Sequence, residues 1–166
     1  GIGVAPAAWD ALVSAATAEG FKPDVLEAVG LAKSRESGGI YDVFRDRLMF
    51  PILSPIGKVL GFGGRILPDT DQGSADYTPA KYINTPETEV YHKSQVLYGL
   101  KQSKGDIRLK NEAYLVEGYA DVVMLYQNGI ENVVATSGTS LTGGHIRLLS
   151  KYCNRVTIII DADDAG

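Results

Sequence analysis

The sequence predicts an α/β protein: an α+β amino-terminal part over residues 1–110, then a β-α-β-α-β unit with a parallel sheet over residues 111–166. Three observations predict it. From Glu112 onward, short apolar runs alternate with helical patterns, the arrangement of a parallel sheet with right-handed crossovers. Two of those runs, Ala113-Tyr114-Leu115-Val116 and Val156 to Ile160, are too short for helices and rich in β-branched and aromatic residues, so they read as buried strands. Each stops at a carboxylate, Glu117 or Asp161.

Taken in order, Pro6 to Gly20 reads as a first helix, with Pro6 in the first turn, Gly20 at the stop, and Trp9, Leu12, Val13 and Ala16 on a core-facing side. A second short helix runs from Pro23 to about Val29, closed by Gly30, and Ser34 to Gly39 is loop. Leu48–Leu53 and Lys58–Leu67 read as two strands joined by the turn Ser54-Pro55-Ile56-Gly57, with Pro51 arguing for an edge or a bulge. Gly61, Gly63 and Gly64 leave the second strand with little side chain, as expected where another backbone or a ligand comes close. Pro68 to Pro79 is polar and predicts an exposed mobile loop. Ser94 to about Leu109 reads as a helix weakened by Gly99 and Gly105, its polar tail leading into the second half. There the pattern predicts strand 113–117, helix 119–128, strand 132–136, a Gly-rich turn, helix 142–152 and strand 155–160.

With 45% hydrophobic and 22% charged residues the chain can bury a core. No apolar run approaches the ~18 residues of a membrane span and no secretory signal is present, so a cytoplasmic protein without a membrane partner is expected. The net charge of −4 requires any nucleic-acid footprint to be local. A single cysteine, Cys153, excludes an internal disulfide and a cysteine zinc site, and reads as a buried, inert thiol. His92 and His145 lack metal-ligand spacing and read as structural or surface residues.

The acids carry the chemistry. Glu117 facing the pair Asp161 and Asp163 suits Mg²⁺, a hard cation that takes oxygen ligands while meeting phosphate. Crowded carboxylates repel, and without a cation at least one stays protonated. The competing reading is that Glu117 and Asp161 cap the helices that follow them. If they share a metal, the first and third strands of the unit must be neighbours. Upstream, Arg45 and Arg47 are two apart in an expected strand, which points both guanidiniums to one side, toward phosphates or toward Asp42 and Asp46. Arg65 after three glycines, and Lys81, Tyr82 and Asn84 in one loop, are candidate nucleotide contacts. Gly138 and Thr139, in Ser137-Gly138-Thr139-Ser140, either offer backbone N–H groups to phosphate or form the turn and cap of the helix near Thr142.

Val116-Glu117-Gly118-Tyr119 with Asp121, and Asp161-x-Asp163-x-Ala165-Gly166, resemble the two acidic motifs of the TOPRIM domain of primases and topoisomerases. Phe44 to Ile52, Gly61-Phe62-Gly63-Gly64-Arg65, Lys81 to Thr88 and Leu97-Tyr98-Gly99-Leu100 precede them in that order, and the whole chain resembles the central RNA polymerase domain of bacterial replicative DNA primases of the DnaG type. Ala120 stands where that family commonly has methionine, and Ala162 where it has glycine. The resemblance implies a basic amino-terminal subdomain followed by a TOPRIM subdomain truncated at its carboxyl end, and a DNA-dependent RNA polymerase making short primers on single-stranded DNA. It implies ribonucleoside triphosphates and RNA primer as partners, and a replicative helicase engaged through a region absent here. Glu117, Asp161 and Asp163 would be catalytic ligands of Mg²⁺ or Mn²⁺, with Asp121 supporting them and no zinc in this stretch. Arg45, Arg47, Arg65 and Lys81 would hold template or triphosphate. Further family acids lie beyond Gly166, so weak or absent activity is expected of this stretch alone. Two other readings stay open: another TOPRIM enzyme, topoisomerase or nuclease, and a single-stranded DNA or nucleotide binding module without turnover.

Overall fold

A computed structural model describes residues 1–67 and 79–160. The expected loop from Pro68 to Pro79 therefore lies almost wholly outside the described residues, as do Asp161 and Asp163. The chain forms two compact units: residues 1–51 with 61–91, and residues 52–60 with 92–166.

In the first unit, β1 (Gly3–Ala5), β4 (Arg47–Leu53), β5 (Val59–Ile66) and β6 (Tyr82–Asn84) form a sheet in the order β1-β4-β5-β6. β1 runs antiparallel to β4 and β6 antiparallel to β5, with Gly64 opposite Ile83. Two helices, α1 (Ala11–Ala18) and α2 (Pro23–Ala28), and a hairpin of β2 (Ala32–Ser34) and β3 (Ile40–Asp42) complete the unit. The loop expected from Ser34 to Gly39 is the turn of that hairpin, and the three-residue strands on either side are too short for a sequence pattern to mark.

The first helix starts five residues later than its sequence pattern predicts. No side chain of its own caps it; the carboxylate of Asp42 on β3, 2% exposed, accepts the amides of Leu12 and Val13 at 2.7 and 3.0 Å. A long-range acid thus sets the start. Trp9 consequently lies outside the helix and is 55% exposed, not in the core. The glycines of β5 are crowded by side chains. A Cβ on Gly64 would stand 2.7 Å from Phe44, and one on Gly61 3.0 Å from Thr85, whose hydroxyl accepts the amide of Phe62 at 2.9 Å.

In the second unit, a 3₁₀ turn (Lys93–Gln95) leads to α3 (Leu100–Lys110), followed by β7 (Glu112–Val116), α4 (Tyr119–Gln127), β8 (Val133–Ala135), α5 (Gly143–Leu149) and β9 (Arg155–Ile158). The helix expected from Ser94 begins only at Leu100, because Gly99 takes a left-handed φ of +84° and Tyr98 bridges antiparallel to Ala135. Any Cβ on Gly99 would also stand 2.9 Å from Val122. Leu100, Ser103 and Ile107, at helical spacing, bury one face of α3, and the Ser103 hydroxyl donates to the Val133 carbonyl at 2.7 Å.

The three strands are parallel in the order β8-β7-β9, so the first and third in sequence are neighbours, as a shared metal requires. One hydrophobic cluster gathers Leu97, Leu100, Ile107, Ala113, Leu115, Val134, Leu149 and Cys153, and another Val116, Val122, Val133 and Ala135. Alternation along β7 feeds both, which is why the strand is almost wholly apolar. Burial pushes the Cys153 thiol up, consistent with an inert core residue.

Candidate active site

β7 ends at Val116, and Glu117 follows it exposed to solvent. Its carbonyl accepts the Ser137 amide at 2.9 Å, so the turn after β8 is drawn alongside it. On the other side of β7, Ile158 pairs with Leu115 and the Ile159 amide donates to the Leu115 carbonyl at 2.9 Å. The carboxyl ends of the three parallel strands therefore share one edge, where ligands collect in open α/β sheets.

Capping of the next helix falls to Asp121, not Glu117. The Asp121 carboxylate accepts the Gly118 amide at 3.0 Å, closing a box around the start of α4. A Cβ at Gly118 would stand 2.9 Å from the Asp121 carboxylate oxygen, which would have to shift from its place in the cap. Gly118→Ala is expected to weaken the cap by about 1 kcal/mol, measured by denaturant unfolding.

The turn after β8 is held by Ser137 and Gly138, both left-handed at φ +60° and +83°, and by the Thr139 hydroxyl, which donates to the Thr136 carbonyl at 3.0 Å. It does not cap α5. Thr142 does, accepting the His145 amide at 3.2 Å and donating its hydroxyl to the Ser94 carbonyl at 2.6 Å. His145, wholly buried, accepts the Thr142 amide on Nδ1, which makes Nε2 the protonated nitrogen that meets the Lys93 carbonyl at 2.8 Å. It is structural. Ser137 to Thr139 thus forms the expected tight turn, while the cap of the helix belongs to Thr142.

The cationic candidates separate. Arg45 and Arg47 do not share a strand face: Asp46 between them has φ +54°, and β4 starts only at Arg47. Arg45 donates to the Asp42 carbonyl and lies over the Trp9 ring. Arg47 is buried, and its Nη1 meets the carbonyls of Ala80, Gly64 and Lys81 at 2.9, 3.2 and 3.4 Å. Arg65 lies 5.9 Å over the ring of Tyr82 on edge strand β6. Lys81 is exposed beside them and Asn84 is half-buried at the end of β6. Among the described residues no three His, Cys, Asp or Glu side chains stand together as a metal site.

Sequence reading missed the cluster of Trp9, Tyr41 and Arg35 around Arg45. The one available signal was a tryptophan directly before a helix start, and the apolar face assigned to it hid that signal.

Residues 114–166, which carry the parallel sheet with an acid following its central strand, match the model described as Toprim-like. Residues 1–104 match "DNA primase catalytic core, N-terminal domain", and the chain belongs to this DNA primase catalytic-core family. A DNA primase of Pseudomonas putida is 41% identical over the whole chain, which covers 24% of that protein. The RNA polymerase domain of Mycobacterium tuberculosis primase DnaG superposes with a TM-score of 0.88 at 37% identity, over 99% of this chain and 54% of that one. A DnaG primase catalytic domain solved bound to single-stranded DNA gives 0.83 at 40% identity, over 99% of this chain and 49% of that one. The chain thus spans about a quarter of the length of the curated relatives it matches.

Proposed function

We propose that this chain carries the core of an RNA primer polymerase that acts in the cytoplasm on single-stranded DNA, joining ribonucleotides by metal-assisted nucleotidyl transfer. The observation that supports this most is the β8-β7-β9 order, which sets the exposed Glu117 at the strand edge toward which β9 leads, and the last residue of β9, Ile158, comes three before Asp161 in sequence. The donor set fits a hard cation: Glu117, with Asp161 and Asp163, offers only carboxylate oxygens, and Asp121 orients the Gly118 backbone beside it. Mg²⁺ or Mn²⁺ held there would favour the hydroxylate form of the attacking 3′ hydroxyl and neutralise charge on the transferred phosphate.

The remaining roles belong to the protein. Residues 111–166 supply the acids and the Ser137–Thr139 turn, whose Gly138 and Thr139 backbone faces phosphate oxygens. Residues 1–110 supply the cations. Arg45, Arg65 and Lys81 hold template or triphosphate, with Tyr82 as a stacking surface and Asn84 as an amide contact. Arg47 acts through its neighbours, fixing the backbone of Ala80 and Lys81 from below.

The reading is tested by magnesium-dependent primer synthesis on single-stranded DNA with the full-length protein. Metal-independent synthesis, or strand cleavage in place of synthesis, overturns it. A separate expectation concerns salt. Lys81→Ala should lower the affinity for single-stranded DNA and reduce the slope of log K against log salt by about 0.7, measured by fluorescence anisotropy across a salt series.

A further inference from the structure

The residues just before α3 have no part in the chemistry described above, but they close one side of the edge where it sits. β8 is an outer strand of the parallel sheet among the described residues, and Tyr98 pairs with its last residue. The Tyr98 amide donates to the Ala135 carbonyl at 2.9 Å, and the Ala135 amide donates back to the Tyr98 carbonyl at 3.1 Å. On its other side Ala135 stands in register with Val116, the last residue of β7. Tyr98, Ala135 and Val116 thus form one row across the carboxyl end of the sheet, immediately before Glu117 and the turn at Ser137.

Partners in such a row present their side chains to the same face. Tyr98 accordingly packs with Val116, Val122 and Ala135 on the side of α4, while Leu97, 1% exposed, belongs to the cluster on the opposite face. That alternation fixes the side to which Tyr98 points. There its ring meets Tyr119, with centroids 4.8 Å apart and planes at 87°, the edge-to-face arrangement that aromatic pairs prefer. Tyr119 is 2% exposed and opens α4, two residues after Glu117. Next to Tyr98, a Cβ on Gly99 would stand 2.9 Å from Val122 and 3.2 Å from the Val133 carbonyl oxygen, so the backbone at 98–99 is wedged between α4 and β8.

Two short routes lead from this wedge to the acid. Through its main chain Tyr98 holds Ala135, beyond which the Thr136 amide meets the Val116 carbonyl at 3.4 Å and the Ser137 amide the Glu117 carbonyl at 2.9 Å. Through its ring it holds Tyr119, whose backbone continues that of Glu117 and Gly118. Metal–oxygen distances are set to within about 0.2 Å, so a ligand on a strand end depends on what fixes its backbone from outside.

We propose that Tyr98 is a positioning residue of the acidic centre, which sets the start of α4 and the turn after β8 relative to each other and so places Glu117 beside Gly138. This rests on the reading of Glu117 as a cation ligand and of Gly138 and Thr139 as phosphate contacts. The aromatic ring carries the effect. Burial pushes the Tyr98 hydroxyl up from the ordinary tyrosine value, so it brings no charge to the centre at neutral pH.

The test follows hydrogen exchange by mass spectrometry in the full-length protein, in EDTA. Tyr98→Leu keeps the main-chain bridge and removes the aromatic edge. Exchange is expected to quicken several-fold in peptides spanning 117–122 and 134–140, while Glu112–Val116 and Arg155–Ile158 keep wild-type rates and Tyr98→Phe restores them throughout. Uniform quickening over the whole sheet, or none, overturns the proposal. Tyr98→Met repeats the comparison where the leucine variant fails to fold. Binding of Mn²⁺, read from the magnetic resonance signal of the free ion, separates this proposal from the reading beneath it. Tyr98→Leu is expected to weaken about tenfold the same Mn²⁺ site that Glu117→Gln weakens. Wild-type affinity in Tyr98→Leu beside a weakened Glu117→Gln overturns the role of Tyr98. Unchanged affinity in both variants overturns the ligand reading instead, and the exchange rates alone then uphold or sink the role of Tyr98.

Discussion

Glu117→Gln is expected to lower magnesium-dependent primer synthesis by the full-length protein at least about a hundredfold, the loss that follows when a metal ligand is neutralised. The substitution keeps the size of the side chain and removes one charge at an exposed position beyond the end of β7. Since Asp121 caps α4, the start of that helix should be kept in the variant, read by circular dichroism. The kinetic assay with varied Mg²⁺ separates two causes. A ligand role predicts a raised requirement for Mg²⁺ along with the lower rate, whereas a role in positioning the turn at Ser137 alone predicts a lower rate with the same requirement. Retention of full activity would remove Glu117 from the centre.

Arg47→Met is expected to act oppositely, on stability. Arg47 is 7% exposed, and its guanidinium serves the carbonyls of Gly64, Ala80 and Lys81. Methionine keeps the apolar stem but leaves those acceptors without this donor, at a cost of about 3 kcal/mol. A loss of that size corresponds to roughly 6–12 °C in melting temperature for a chain of this length, read by calorimetry. At a temperature where the variant remains folded, its affinity for single-stranded DNA should fall only as far as Lys81 is displaced. An unchanged melting temperature with a large loss of affinity would instead make Arg47 a direct phosphate ligand.

The parallel half was largely legible, and for a physical reason. β7, α4, β8, α5 and β9 each carry their own periodicity, and glycines at their ends mark the breaks, so local pattern and tertiary placement agree. The neighbouring of β7 and β9 followed from asking where two acids must meet. The first half resisted because its boundaries are set by distant groups. α1 begins where Asp42 receives its amides, thirty residues on from Leu12. Arg45 and Arg47 diverge because Asp46 takes a positive φ that alternation cannot foretell. The crowding at Gly61 and Gly64 was anticipated, but its source, Phe44, Arg47 and Thr85, was not. At the candidate site, Glu117 is marked by its place after an apolar run and Asp121 by the resemblance, while their division into exposed acid and helix cap needed the coordinates.

The two compact units are threaded by one backbone that passes from the first to the second after Pro51, returns after Leu60 and leaves again after Tyr91. No single scission liberates either of them whole. A piece ending at Tyr91 would carry Ile52–Leu60 away from Lys104, whose ammonium donates to the Pro55 carbonyl at 2.7 Å. Limited proteolysis or split-protein engineering at the 91/92 junction should therefore yield halves that associate before either behaves as an independent domain.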